Sequence, residues 1–274
     1  MRNNQRRSGQ TGPQPSSPAP TAELAFVAPT EFVALPSRGE FYPEDHPLYK
    51  QETVEIKFMT AKDEDILTSE ALLKKNLAID RLLESLLVAD CDAASLLVGD
   101  RNAIIIAARS SAYGSEYKVS LKCGDCGAEN EFIFDLHTAT LVDDCFDKEF
   151  LHEEGISFNK DTQTFDVTLP VSNVTVGLAL IDGRQEKRFN DKDNGKNRVT
   201  SLLSAILVKV NDNTEFDYVR SFIDAMPAKD SKHLRRLYPK LTPTVKLLQN
   251  YSCVECYSSK DVEVPLSAEF FWPE

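Results

Sequence analysis

The sequence contains the same cysteine motif twice, and this repetition limits what the chain can fold into. Cys123 and Cys126 lie between two strand-like runs, and Cys253 and Cys256 recur in the same setting near the C-terminus. A Cys-x-x-Cys pair on a tight turn between strands supplies half of a tetrahedral thiolate site, because both sulfurs can reach one ion. Single-ribbon zinc sites space their pairs about 15–20 residues apart, whereas these pairs lie 130 positions apart. The two halves of the site must therefore meet through the fold.

The residues around the two pairs keep a common register. The interval from the first cysteine to a closing leucine is the same, 123 to 136 and 253 to 266. Asp100 and Asp230 each lie 23 residues before the first cysteine, and each is expected to cap a helix. This register predicts a tandem duplication of one α+β unit with the order strand, helices, strand, Cys-x-x-Cys turn and strand. A structural zinc ion would join the two halves in a zinc-ribbon-like site, with the ligands Cys123, Cys126, Cys253 and Cys256.

Composition divides the 274 residues into four segments. Residues 1–28 are polar, rich in Pro and Ser and without apolar periodicity, so they are predicted to form a disordered N-terminal arm. Residues 29–140 are interpreted as the first α+β repeat. Residues 165–274 are interpreted as the second repeat, which ends in an aromatic tail, and the acidic segment 141–164 as a connector.

Charge and hydrophobicity exclude several classes of protein. A hydrophobic content of 42% and a charged content of 27% are typical of a globular protein with a sizeable core. The net charge of -12 argues against general nucleic-acid binding, which requires an excess of Lys and Arg along one face. No run of 18 apolar residues is present, so no membrane span is predicted. The N-terminus lacks the apolar stretch of a secretory signal.

The cysteine and histidine content favours a structural metal site over an enzyme. Four of the six cysteines fall in the two pairs, which favours a cytosolic metal site over a disulfide framework. Four thiolates leave zinc no open position for a substrate. Cys91 and Cys145 have no nearby partner and are interpreted as small buried hydrophobic residues. The four histidines are scattered, and the common phosphate-loop, dinucleotide and nucleophile motifs are absent.

Hydrophobic periodicity predicts the elements of each half. In the first half we expect a strand at 53–58, a helix capped by Thr60, a helix at 70–88, and a helix at 101–112 that ends near Gly114. In the second half we expect paired strands at 165–169 and 173–176, and helices at 180–189, 199–210, 216–226 and 231–238.

An extended segment at residues 34–43, here named the clasp, precedes the first half. Two prolines and a glycine interrupt its apolar residues, which include Leu35, Phe41 and Tyr42. These side chains are predicted to attach the N-terminal arm to the body of the protein. The alternative is that they dock a neighbouring subunit.

Two further groups near the C-terminus could contact partners. Phe271 and Trp272 belong to an aromatic tail that either folds back onto the core or anchors in a neighbouring subunit. Arg235 and Arg236 belong to a basic cluster at residues 229–246. That cluster could be a solvated helix face, a patch for an acidic protein, or a partner of this chain's own acidic residues.

Several stretches are distinctive when they are read together. They are Leu35–Pro43, Met59–Thr68, Leu73–Asn76, Ile79–Leu83, Leu97–Asn102, Tyr113–Tyr117 and Val264–Pro273. With the first cysteine pair, they resemble the baseplate protein family of contractile-tailed, T-even-type bacteriophages, whose members are described as baseplate hub subunits or hub-assembly proteins. The resemblance covers residues 30–140 and roughly the last 25 residues, and it covers 141–245 by architecture only. The second turn departs from a common knuckle form, because Tyr257 stands where the first turn has Gly127.

The resemblance implies a non-enzymatic structural component of a contractile-tail baseplate, or of its assembly. Such a protein would be made and assembled in the cytoplasm of the host bacterium and located in the virion, with other tail and baseplate proteins as partners. Two alternatives stay open: a transient tail-assembly chaperone that is absent from the mature virion, and a zinc-ribbon regulator that binds nucleic acid. The regulator would need a basic stripe beside the cysteine turns. Four acidic residues there count against it, namely Asp125, Glu129, Glu131 and Glu255.

Overall fold

The computed structural model describes residues 29–192, 198–264, 266 and 268–271, and the predicted arm at 1–28 and Trp272 lie outside them. The described chain is a mixed α+β protein, as predicted. The helices are α1 (Ala61–Thr68), α2 (Glu70–Leu73), α3 (Ala78–Leu86), α4 (Val98–Tyr113), α5 (Lys148–Glu153), α6 (Gly183–Lys192), α7 (Arg198–Ile206), α8 (Phe216–Ala225) and α9 (Ala228–Leu241). The strands are β1 (Thr30–Ala34), β2 (Thr53–Lys57), β3 (Glu116–Lys122), β4 (Glu129–Asp135), β5 (Thr140–Val142), β6 (Ile156–Asn159), β7 (Thr164–Thr168), β8 (Thr175–Ala179), β9 (Leu207–Val210), β10 (Thr244–Lys246), β11 (Leu248–Ser252) and β12 (Ser259–Glu263).

The strands pair antiparallel in one larger sheet and four two-stranded sheets within the described residues. The larger sheet has the order β6-β7-β8-β9, and the pairs are β1 with β2, β3 with β4, β11 with β12, and β5 with β10. The β5–β10 pair brings distant parts of the chain together. The start of α4 lies directly against the backbone before β10, because a Cβ on Gly99 would lie 1.8 Å from the carbonyl oxygen of Pro243.

The clasp lies in the core. Leu35, Phe41 and Tyr42 are 3%, 9% and 2% exposed. The ring of Phe41 packs against the rings of Phe158 and Phe165 in the larger sheet, with centroids 5.0 and 5.3 Å apart. The interpretation that the clasp attaches to the body of its own chain is therefore confirmed. These three side chains are covered by this chain.

Asp100 holds the clasp and does not cap a helix. Helix α4 begins at Val98, earlier than predicted, so Asp100 lies inside its first turn. The buried carboxylate accepts hydrogen bonds from the backbone N–H of Ser37 (2.9 Å), the hydroxyl of Ser37 (2.6 Å) and the hydroxyl of Tyr42 (2.7 Å). The predicted cap is wrong because these three donors in the clasp bind the carboxylate.

Asp230 makes the equivalent contact in the second half. Helix α9 begins at Ala228, so this aspartate also lies in the first turn and not at the cap. Its carboxylate accepts the backbone N–H groups of Val171 (2.9 Å) and Ser172 (3.0 Å). Both aspartates thus bind a turn that begins with Leu-Pro, at residues 35–36 and 169–170.

The helix predicted at 70–88 is interrupted. Helix α2 ends in a Schellman motif, in which Leu77 N–H donates to the carbonyl of Leu72 (2.9 Å) and Asn76 N–H to that of Leu73 (3.0 Å). Asn76 has the left-handed φ of 52° that this motif needs. Asparagine tolerates that conformation, so the chain turns and α3 begins at Ala78.

The helix predicted at 199–210 is wrong over its last four residues. Leu207–Val210 forms β9, which pairs with β8, and its alternating β-branched residues suit a strand. The predicted hairpin of β7 and β8 and the helix α8 are confirmed. The segment 141–164 contains α5 and β6, and β6 forms the edge of the larger sheet.

Parts of the chain before and after residue 150 share some arrangements of elements, although α8 has no equivalent helix in the first half. In the first, the β1–β2 hairpin is followed by helices and by an antiparallel bridge between Ile56 and Leu87. In the second, the β7–β8 hairpin is followed by helices and by β9, which is antiparallel to β8. Helices α4 and α9 begin 130 positions apart, and so do strands β4 and β12. The same spacing separates the two cysteine pairs.

Candidate metal centre

Each cysteine pair occupies a turn that joins two antiparallel strands. The first Cys turn (residues 123–128) joins β3 to β4, and the second Cys turn (residues 253–258) joins β11 to β12. In the first, Cys123 N–H donates to the carbonyl of Ala128 (2.8 Å), and Gly127 N–H to that of Cys123 (2.9 Å). The second repeats both hydrogen bonds, from Cys253 to Ser258 (2.9 Å) and from Tyr257 to Cys253 (3.0 Å).

The two turns also share a left-handed residue after the second cysteine. Gly127 has a φ of 76° and Tyr257 a φ of 57°. Glycine adopts this conformation without steric cost, whereas a residue with a Cβ does so at a cost of about 1–2 kcal/mol. Tyr257 is 84% exposed, so packing within the described chain does not compensate the strain. The second turn keeps the knuckle geometry in spite of its tyrosine.

The fold brings all four predicted sulfurs together. The Sγ atoms of Cys123, Cys126, Cys253 and Cys256 lie within 4.8 Å of one another. Across the junction, Cys123 lies 3.7 Å from Cys256, and Cys126 lies 3.6 Å from Cys253. A tetrahedron with Zn–S bonds of about 2.3 Å has edges of about 3.8 Å. The two distances across the junction match this edge, and the four sulfurs lie close enough together to hold one metal ion.

The backbone favours the thiolate form of two of the four sulfurs. The N–H groups of Cys256 and Glu255 lower the pKa of Cys253 to about 6, and those of Cys126 and Asp125 lower the pKa of Cys123. At Cys256 the N–H of Ser258 acts in the same direction, but the neighbouring thiols outweigh it and raise the pKa to about 12. Four thiolates at this spacing repel one another, so full ionisation requires a cation among them.

Buried and charged side chains that the sequence did not reveal surround the cysteines. Cys123, Cys253 and Tyr251 form a small buried cluster beneath the turns. Lys260 on β12 pairs with Asp125 of the first Cys turn (2.8 Å). Asn130 on β4 is buried against the second Cys turn. Lys260 lies 130 positions after Asn130, the same offset that separates the two cysteine pairs. This offset was the one signal in the sequence that could have pointed to the two residues.

The other cysteines and histidines do not join this centre. Within the described part of the chain, the four cysteines are the group of His, Cys, Asp and Glu side chains placed to hold a metal ion. Cys145 is buried, as predicted, and burial raises its pKa to about 12. Cys91 is half-buried, and its sulfur lies 3.7 Å from His46 Nε2.

Two of the remaining residues that were predicted as possible partner contacts, Phe271 and Arg236, contact other parts of this chain. Phe271 is 1% exposed, which agrees with a tail that folds back onto the core. Arg236 pairs with Glu154 of this chain (3.1 Å), which agrees with the predicted alternative of pairing with the chain's own acidic residues. Arg235 is exposed.

The fold and the site define an α+β protein in which two distant hairpins bring four cysteines into one cluster that could hold a metal ion. No helix in the described ranges combines the length and apolar character needed to cross a bilayer. The family model described as T4 bacteriophage base plate protein matches residues 30–272. The chain therefore belongs to this family, which confirms the resemblance and extends it through the middle of the sequence. No curated protein and no solved structure gives a significant match.

Proposed function

We propose that the protein is a non-enzymatic structural component of a contractile-tail baseplate, in the hub or in the assembly of the hub. The family match over residues 30–272 supports a baseplate role. The partners are then other tail and baseplate proteins, and the protein resides in the tail of the virion after assembly in the cytoplasm of the host bacterium.

The four-cysteine cluster carries the structural part of this proposal. Four sulfurs within 4.8 Å of one another can fill the coordination sphere of one zinc ion, which leaves no position for water or a substrate. The ligands come from hairpins 130 positions apart. The zinc ion therefore fixes the orientation of the two hairpins, and it stabilises a scaffold without performing chemistry.

A tandem duplication accounts for the arrangement of the ligands. The offset of 130 residues relates α4 to α9, β4 to β12, Asp100 to Asp230 and the first Cys turn to the second. The short sulfur contacts are 123 to 256 and 126 to 253, and exchange of the two halves converts one contact into the other. This is the pattern expected when two copies of one unit meet about a local twofold axis.

Metal analysis of the purified chain tests the site. We expect one zinc per chain, and its loss together with a lower free energy of unfolding when Cys123 and Cys253 are both replaced by Ser. Cys91→Ser is the matched control, because this cysteine lies outside the cluster, and it should keep the metal. Unchanged zinc in the double variant would refute the ligand assignment, and two zinc ions per chain would indicate separate sites.

Quantitative mass spectrometry of purified phage particles tests the location. A stoichiometric amount in the particle supports the structural component. Abundance in infected cells together with absence from mature particles supports the transient assembly chaperone. These two outcomes distinguish a structural component from a transient assembly chaperone, which the family name alone does not do.

The charges beside the Cys turns argue against the nucleic-acid-binding regulator. Glu129, Glu131 and Glu255 are exposed there, and Asp125 already engages Lys260. A phosphate backbone would be repelled from this surface. We expect no salt-dependent retention of DNA in a filter-binding assay. Such retention would support the nucleic-acid-binding regulator.

A further inference from the structure

Asn130 connects the two Cys turns before any metal is considered. It is the second residue of β4, 7% exposed, and its amide faces the second Cys turn. The two N–H bonds of Nδ2 are shared among three acceptors within hydrogen-bonding distance, the carbonyl of Ala128 (3.3 Å), the hydroxyl of Tyr251 (2.8 Å) and the Sγ of Cys253 (3.6 Å). The Oδ1 atom accepts the backbone N–H of Val254 (3.3 Å). One buried amide thus contacts a ligand sulfur and the backbone next to it.

The hydrogen-bond partners fix the orientation of this amide. The N–H of Val254 can only donate, so the oxygen of Asn130 must face it. The nitrogen then faces the sulfur of Cys253, which becomes the acceptor. A donated N–H stabilises a thiolate more than a thiol, because a hydrogen bond to a charged group is stronger than one to a neutral group.

The equivalent residue of the other half reaches across the junction in the opposite direction. Lys260, 130 positions after Asn130, pairs with Asp125 of the first Cys turn. The side chains of that ion pair are 54% and 48% exposed, so water screens it. Asn130 is buried, and its contacts are protected from water. Of the two reciprocal links, the one through Asn130 is therefore expected to govern the geometry of the site.

We propose that Asn130 is the positioning residue of the metal centre, which holds Cys253 and the second Cys turn in the geometry that zinc requires. This inference rests on the zinc site proposed above. Residues that orient metal ligands from outside the coordination sphere typically contribute about 10–100-fold to metal affinity. We expect a loss of that size when the amide is removed, although Asn130 is not one of the four proposed ligands.

Two substitutions separate the contacts of the amide. Asn130→Ala removes all of them. Asn130→Asp keeps the shape and the acceptor for Val254 N–H, but it replaces the N–H that faces Cys253 with a carboxylate oxygen and adds a negative charge beside the thiolates. Asn250→Ala is the matched control, because Asn250 is an exposed asparagine on the neighbouring β11 and bonds Asp261 (3.2 Å).

The experiment measures zinc affinity of the full chain by competition with a chromophoric chelator, and the spectrum of the Co²⁺-substituted protein. We expect affinity to fall about 10–100-fold in both Asn130 variants, more in Asn130→Asp, with shifted Co²⁺ bands and an unchanged Asn250→Ala. A merely structural role would lower the stability of the metal-free and metal-bound forms equally and leave affinity unchanged. That result would overturn the inference while the zinc site stands.

Failure of the underlying proposal has a different signature. A wild-type chain that binds no metal refutes the zinc site and, with it, the role of Asn130. If Asn130→Ala does not fold, the near-isosteric Asn130→Asp decides: wild-type affinity and an unchanged Co²⁺ spectrum in that variant would overturn the inference.

Discussion

Replacing Asp100 with alanine should destabilise the fold far more than replacing its equivalent, Asp230. Both carboxylates are fully buried and lie in the first turn of a helix. The two carboxylates differ in the hydrogen-bond donors that they bind. Asp100 receives three hydrogen bonds from Ser37 and Tyr42, whereas Asp230 receives two backbone hydrogen bonds from Val171 and Ser172.

The expected size of the difference follows from the burial of the donors. Ser37 and Tyr42 are 0% and 2% exposed, so water cannot replace the lost carboxylate. Each unsatisfied buried donor costs about 1–3 kcal/mol. Removal of a buried charge recovers part of that sum, which leaves a net loss of about 3–5 kcal/mol. Val171 is exposed and Ser172 half-buried, so these donors are less completely buried than those at Asp100, and we expect a smaller loss of about 1–2 kcal/mol at Asp230.

Urea unfolding followed by far-UV circular dichroism measures both losses, with equal m-values as the condition for comparing midpoints. Asp224→Ala is the control, since this exposed aspartate on α8 should change stability by less than about 0.5 kcal/mol. Equal losses at the two aspartates, or a larger loss at Asp230, would refute the argument that burial of the donors sets the cost.

Three further predictions concern the turns, the helix contact and the metal. Tyr257→Gly should raise the free energy of unfolding by about 0.5–1 kcal/mol, because it relieves left-handed strain of about 1–2 kcal/mol and loses about 0.5–1 kcal/mol to the flexibility of glycine; a lower urea midpoint would contradict this. Gly99→Ala should destabilise by about 1–3 kcal/mol or more, because the added Cβ would lie 1.8 Å from a carbonyl oxygen of Pro243; an unchanged melting temperature would be inconsistent with that contact. Acidification should release zinc, because protons compete with the metal for the thiolates; a chelator assay that finds full retention at about pH 4 would argue against thiolate ligation.

The sequence predicted that the four cysteines meet in one cluster, because pairs of thiols in equal settings are visible in residue type and spacing. Four cysteines in two equal settings left few alternatives, and the family resemblance rested on equally specific stretches. Asn130 was out of reach, because a buried asparagine and an exposed one look the same in a sequence. Its importance arises only when β4 and the second Cys turn meet.

The incorrect predictions about helices, strands and helix caps have local physical causes. Apolar periodicity continues through Asn76, so it did not reveal that this residue ends α2 with a left-handed turn. Apolar residues at 199–210 suit a buried helix and a buried strand equally, and pairing with β8 decided for a strand at its end. At Asp100 and Asp230 the residue type suggested a cap, whereas donors far away in sequence bind the carboxylates.

The crossed contacts between the two Cys turns give the chain an unusual mechanical connectivity. With zinc bound, tension applied to the two ends of the described chain passes from residue 123 to residue 256 through metal–sulfur bonds. The intervening segment of about 130 residues is bypassed by this connection, and its roughly 430 Å of extended length is not available until the cluster breaks. A pull on the ends would therefore have to break the metal cluster before it could extend the helices and sheets that the cluster encloses.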